Sequence, residues 1–152
     1  MEKVLVLRSP ARSQAWPASR VICWVNRLAL AIVFGWFGLL KVLHLSPAEQ
    51  LVTHLHQVTI ARFMDIGHFM ILLGGVECAI GLLWLVPRLT RYAFGLFLLQ
   101  MGTTFLPLFL LRSETWQNAF ALTLTGQYIM KNLVLVASAL SVVYLQGQSE
   151  TR

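Results

Sequence analysis

Val21-Ile-Cys-Trp-Val-Asn-Arg27-Leu-Ala-Leu-Ala-Ile-Val-Phe-Gly-Trp-Phe-Gly38-Leu-Leu-Lys41-Val-Leu43 reads as one helix long enough to cross a bilayer, yet it holds two charges. A span needs about 20 predominantly apolar residues. An ionisable group at depth costs about 2.5–3.5 kcal/mol on insertion scales, so Arg27 and Lys41 need a partner or a use. Outside this stretch the pattern repeats. Three more apolar runs follow, at about 67–86, 91–112 and 127–146; one contains Glu77 and the last opens on Lys131.

Composition agrees with a membrane location. The 152 residues are 57% hydrophobic and only 12% charged, with a mean hydropathy of +0.70. Soluble domains average about 45–50% apolar and about 25% charged. Four spans with short connections use the whole length, so the sequence predicts an all-α membrane protein. Its domain is a four-helix bundle over 21–146, between a basic tail at 1–20 and a polar tail at 147–152. The net charge of +6 does not imply nucleic acid, because Lys and Arg mostly flank the apolar runs, where they set topology. No small-residue cleavage site follows the first run, so it is read as retained rather than as a signal peptide.

Between the first two spans, 44–66 is less apolar. Ser46-Pro47-Ala48-Glu49 has the form of a capping box with proline at the first helical position. Leu51, Val52, Leu55, Val58 and Phe63 then mix with His54, Gln57 and Arg62, which predicts a short amphipathic outer helix. Pro87 ends the second span, Arg88 and Arg91 sit in a tight turn, and Pro107 kinks the third. Ser113 is a candidate cap and Trp116 a surface anchor. The N-terminal tail, the 88–91 turn and the C-terminus carry Lys3, Arg8, Arg12, Arg20, Arg88, Arg91 and Arg152. That bias predicts cytoplasmic termini.

Positions three, four and seven apart share a helix face. On that basis one face of each span is polar or small: Arg27, Ala31, Phe34, Gly38 and Lys41; Gly74, Glu77 and Gly81; Ala93, Gln100, Thr103 and Pro107; Lys131, Ser138 and Ser141. Small residues permit close helix approach and polar ones bond across it, so these faces are expected to form an inward polar seam. Glu77 and Gln100 fall near mid-membrane, with Lys41 and Lys131 a turn or two above and Arg27 snorkelling at the inner surface. The candidate binding residues are Arg27, Lys41, Glu77, Gln100, Thr103, Lys131 and Asn132. Two readings stay open. The charges form a structural pair that sets helix register, or they line a site for a quinone-like head group, a proton or a small polar molecule.

Other chemistry finds no support in the sequence. Cys23 and Cys78 fall at different depths, which disfavours a disulfide. His44, His54, His56 and His68 read as surface histidines; no cluster supplies the three or four donors of a metal site. No Gly-rich phosphate loop, Ser-His-Asp set or nucleotide motif stands in the chain, so no self-contained catalytic constellation is expected.

The arginine opening span one, Gly38-Leu-Leu-Lys41, and Gly74-Gly-Val-Glu77-Cys-Ala-Ile-Gly81 resemble the pattern of the DoxX-like superfamily of small four-span bacterial membrane proteins. Gly126-Gln-Tyr-Ile-Met-Lys131-Asn132 is similar to the YkgB branch, linked to reactive chlorine resistance in the inner membrane. That motif often has aspartate where Asn132 stands, so this position does not ionise here. The resemblance covers about residues 21–146. It implies a bacterial inner-membrane protein linked to redox or oxidative stress, of the kind described as membrane subunits of thiosulfate:quinone oxidoreductase or quinol-oxidase systems. Quinone is then the candidate cofactor. A membrane or peripheral redox protein and a second copy of the chain are the candidate partners. The rival expectations are a proton or small-solute pathway and a structural membrane anchor.

Overall fold

The structure is a computed structural model and describes residues 15–150 of the chain, with side chains over 18–148. Residues 1–14 and 151–152, with Lys3, Arg8, Arg12 and Arg152 of the topology argument, lie outside the described residues. Among the described residues there is no strand. Four helical segments are long and apolar enough to cross a membrane: Ala18–Val42, Ile66–Trp84, Pro87–Leu110 and Leu124–Gln148.

Helix α1 runs from Ala15 to Val42, 28 residues or about 42 Å. It therefore begins inside the expected tail, with Pro17 in the first turn, where its missing N–H costs nothing. It ends in a Schellman turn. The Leu45 N–H donates to the Leu40 carbonyl at 2.8 Å and the His44 N–H to Lys41 at 3.2 Å. His44 takes the left-handed conformation, φ 55°, at the position usually given to glycine.

Helix α2, Glu49–Thr59, follows. The expected capping box does not form. Ser46 Oγ accepts from the Ala48 N–H at 3.3 Å, and the helix starts beyond Pro47 with no side-chain cap. The hydroxyl is used up in a tight local turn instead. The amphipathic face is also shifted. His56 is buried, with Nε2 2.7 Å from the Met64 carbonyl and its ring on Phe69, while Val58 and Phe63 are exposed.

Helix α3, Ile66–Trp84, is capped by Asp65, whose carboxylate accepts from the Gly67 and His68 N–H groups. Those bonds hold the Asp65 carboxyl below its ordinary value of 3.8. A short 3₁₀ turn at Pro87–Leu89 leads into α4, Thr90–Phe105, and Pro107 separates α4 from α5, Pro107–Leu110. Helix α6, Arg112–Thr115, has no side-chain cap; Ser113 lies inside it, because the backbone bonds of Glu114 and Thr115 return to Leu111. The Trp116 indole donates to the Leu108 carbonyl at 3.0 Å. Helix α7, Leu124–Met130, starts earlier than the apolar run suggested because Thr123 caps it, and α8 spans Asn132–Glu150 after a break at Lys131.

Helix α1 packs most extensively on α3, then on α8, and α4 completes the bundle. Glycines set the α1–α3 spacing. A Cβ at Gly38 would stand 2.7 Å from the Gly74 carbonyl oxygen, and one at Gly74 would stand 2.6 Å from that of Gly38. The core is Leu30, Phe34, Ile80, Trp84, Ala93, Phe97, Met101, Ala139 and Val142. Phe97 is its hub, edge-on to Phe34 and Trp84 at 5.5 and 5.9 Å. Large apolar side chains such as Ile32, Trp36, Leu82, Leu99, Phe109 and Val134 point outward from all four long segments. Apolar exposure on that scale is a lipid-facing surface, far beyond the patches of a water-soluble monomer.

Candidate functional site

Two separate polar centres lie inside the bundle. The first joins α1, α3 and α4. Antiparallel packing sets Lys41 beside Gly74, and the lysine side chain reaches one turn along to Glu77. Lys41 Nζ donates to Glu77 Oε2 at 2.6 Å, and Gln100 Nε2 donates to Glu77 Oε1 at 2.8 Å. The Lys41 and Glu77 side chains are each 9% exposed. The close glycine crossing is what makes this possible, since a bulkier residue at Gly38 or Gly74 would push the α1 and α3 backbones apart. Both Glu77 oxygens are engaged, which holds the carboxylate in place. Lys41 retains further N–H donors and Gln100 its amide oxygen.

The second centre sits at the end of the bundle that carries the 87–89 turn and the end of α8. Arg27 is 2% exposed. It donates to the Trp84 carbonyl at 2.8 Å, to Thr90 Oγ1 at 2.7 Å and to Gln146 Oε1. Gln146 Nε2 in turn donates to the Pro87 carbonyl at 2.6 Å. The guanidinium thus closes the C-terminus of α3, where the helix dipole favours a cation. Among the described residues no carboxylate pairs with it. The expected snorkelling of Arg27 is corrected: fixed carbonyl, hydroxyl and amide oxygens replace water around it, so the side chain stays inside.

Of the sequence-derived candidates, Lys41, Glu77 and Gln100 come together and Arg27 joins a different group. Thr103 is exposed; its hydroxyl donates to the Gln100 carbonyl one turn back at 2.8 Å, so it is satisfied within its own helix. Lys131 is exposed too, at the break between α7 and α8, with Nζ 4.3 Å from the Tyr128 ring centroid. Ser138, expected on the same face, donates to Asn26 Oδ1 on α1 at 2.6 Å. Asn132 is half-buried beside Lys131 and Ser141 is exposed. Thr90, Gln146 and Asn26 were missed. Thr90 lies in a turn and Gln146 at the polar end of the last span, and neither belongs to a spacing pattern that marks a buried partner. Gly126 of the last motif packs against the Thr115 carbonyl and the Leu122 side chain.

Elsewhere, His54 Nδ1 lies 2.8 Å from Glu114 Oε1 and ties α2 to α6. Among the described residues no three His, Cys, Asp or Glu side chains gather in a way that could hold a metal ion. Comparison with known proteins finds no matching family model, no matching curated protein and no matching solved structure.

Proposed function

We propose that the chain is a DoxX-like multi-pass protein of the bacterial inner membrane, with both termini cytoplasmic and α2 on the outer side. In this reading it serves as the membrane subunit of a redox- or oxidative-stress-linked system, and it meets a quinone head group at the Lys41–Glu77–Gln100 centre. The observation that carries this reading is a charged donor–acceptor group held inside a lipid-facing bundle. A quinone carbonyl needs hydrogen-bond donors, which Lys41 and Gln100 supply, and its reduction needs protons, which a Lys–Glu pair can relay. The chain's own residues would bind and orient the head group; electrons would come from a partner redox protein.

The engagement of both Glu77 oxygens by neighbouring side chains favours a second reading, in which the pair locks the bundle and the chain anchors a partner. Extraction of bound quinone from the protein purified in mild detergent, beside Glu77→Gln, separates the two. Stoichiometric quinone in the wild type and none in a folded variant supports the quinone site. No quinone in either, with the variant failing to fold, leaves the lock.

A further inference from the structure

Between α6 and α7, at the end of the bundle where α1 stops and α3 starts, the chain folds into a tight turn. Its two arms pair at the base. The Thr123 N–H donates to the Thr115 carbonyl at 3.0 Å, and the Gln117 N–H donates to the Ala121 carbonyl at 2.8 Å. Asn118 Oδ1 closes the tip, accepting from the Phe120 and Ala121 N–H groups at 3.0 and 2.8 Å. Both arms are folded onto the ends of the spans. The Trp116 indole donates to the Leu108 carbonyl, and the Leu122 side chain packs against Gly126 of α7. At the tip Phe120 is 97% exposed, and Leu124, just past the turn, is 74% exposed. No residue from Thr115 to Met130 is charged.

We propose that this turn is seated in the head-group layer of the bilayer leaflet at that end, with the Phe120 ring inserted towards the acyl chains. Reach carries much of the argument. Thr123 caps α7, where the last span begins. Phe120 stands three residues before it, so at most about 11 Å away, and the head-group layer is about 5–8 Å thick on each side. Chemistry agrees. Backbone polar groups close to hydrocarbon need partners within the chain, and this tip bonds its own amides while carrying no charge to solvate. The exposed apolar surface is continuous, with Phe109 and Leu110 before the turn and Leu124 and Tyr128 after it. A protein partner fits less well. A stable interface buries about 800 Å² per partner, whereas one phenylalanine offers about 150–250 Å². The proposal rests on the bundle crossing a membrane and not on the quinone reading.

The test places a spin label at single cysteines in the full chain carrying Cys23→Ala and Cys78→Ala, reconstituted in vesicles of phosphatidylethanolamine and phosphatidylglycerol. Collision with oxygen, which partitions into lipid, is compared with collision with a water-soluble nickel chelate. Val134→Cys, on the exposed apolar face of α8, and Gln148→Cys, at the opposite end, calibrate lipid and water. The label at Phe120→Cys is expected about 5–10 Å into the boundary between head groups and acyl chains. Nickel collision there equal to that at Gln148→Cys overturns the proposal, because the turn then stands in water. Shielding from both reagents also overturns it, because a second copy or a partner protein then covers the tip. A label at Val134→Cys open to nickel would overturn the membrane bundle and this proposal with it. Because Phe120→Cys removes the ring itself, Ala119→Cys supplies a second reading with Phe120 intact. Adding Phe120→Asp to Ala119→Cys is expected to move that label outward into water, and an unchanged depth overturns the proposal.

Discussion

The Lys41–Glu77–Gln100 centre and the Arg27 centre answer the same problem, a charge inside an apolar bundle, in opposite ways. At Glu77 the charges cancel, and an amide fills the remaining carboxylate oxygen. At Arg27 no carboxylate among the described residues cancels the charge; carbonyl, hydroxyl and amide oxygens solvate the cation. A neutral group can sit at mid-bundle, far from water. An uncompensated cation belongs at a helix end, where the α3 dipole and water are near. The depth of each centre thus follows from its net charge.

The largest effect is expected at the paired centre. Glu77→Leu leaves Lys41 buried and unpaired, at a cost of about 3–5 kcal/mol. Adding Lys41→Met recovers most of that loss, as detergent-unfolding midpoints of the two single variants and the double variant would show. Failure of the double variant to recover would mean that the charges do not act as a pair. Arg27→Met comes next. It frees the Trp84 carbonyl, Thr90 and Gln146 but also removes an uncompensated charge, so a smaller loss of about 1–3 kcal/mol is expected in the same assay. No carboxylate substitution should rescue it, and a rescue by one would erase the distinction between the centres. Lys131→Met should cost less than about 1 kcal/mol, because only a cation–π contact with Tyr128 is lost. A cost equal to that of Glu77→Leu would return Lys131 to the paired centre.

The smallest effect is at the α3 N-terminus, outside both centres. The Asp65 carboxyl is held below 3.8 in the folded protein by the Gly67 and His68 N–H groups. Its contribution is therefore present above the unfolded value and is lost as pH falls through the lowered folded value. Hydrogen exchange at the Gly67 and His68 amides should show that protection fading in acid, with Asp65→Ala unprotected throughout. Protection that survives full protonation would assign the cap to the backbone alone.

Much of the paired centre was legible in the sequence. Glu77 and Lys41 stand on small-residue faces, and Gln100 is the one amide at matching depth in the third span, so periodicity alone brought them together. The Arg27 centre was only half legible. Its charge was visible, but its partners are a main-chain carbonyl, a turn threonine and a glutamine at the end of the last span. Main-chain acceptors leave no mark in a side-chain pattern. Thr103 and Lys131 failed for related reasons. One satisfies its hydroxyl on its own helix, and the other is exposed with its ammonium over the ring of Tyr128.

By itself the sequence determined the class of protein, the number of spans and the inward faces of the first two spans. Those properties depend on transfer of apolar surface from water and on the 3.6-residue helical period, both local quantities. Tertiary structure alone decided that Arg27 is enclosed and that the seam divides into two centres. Each of these depends on which helix ends meet, and that is set by the Gly38–Gly74 crossing and by the breaks at Pro107 and Lys131.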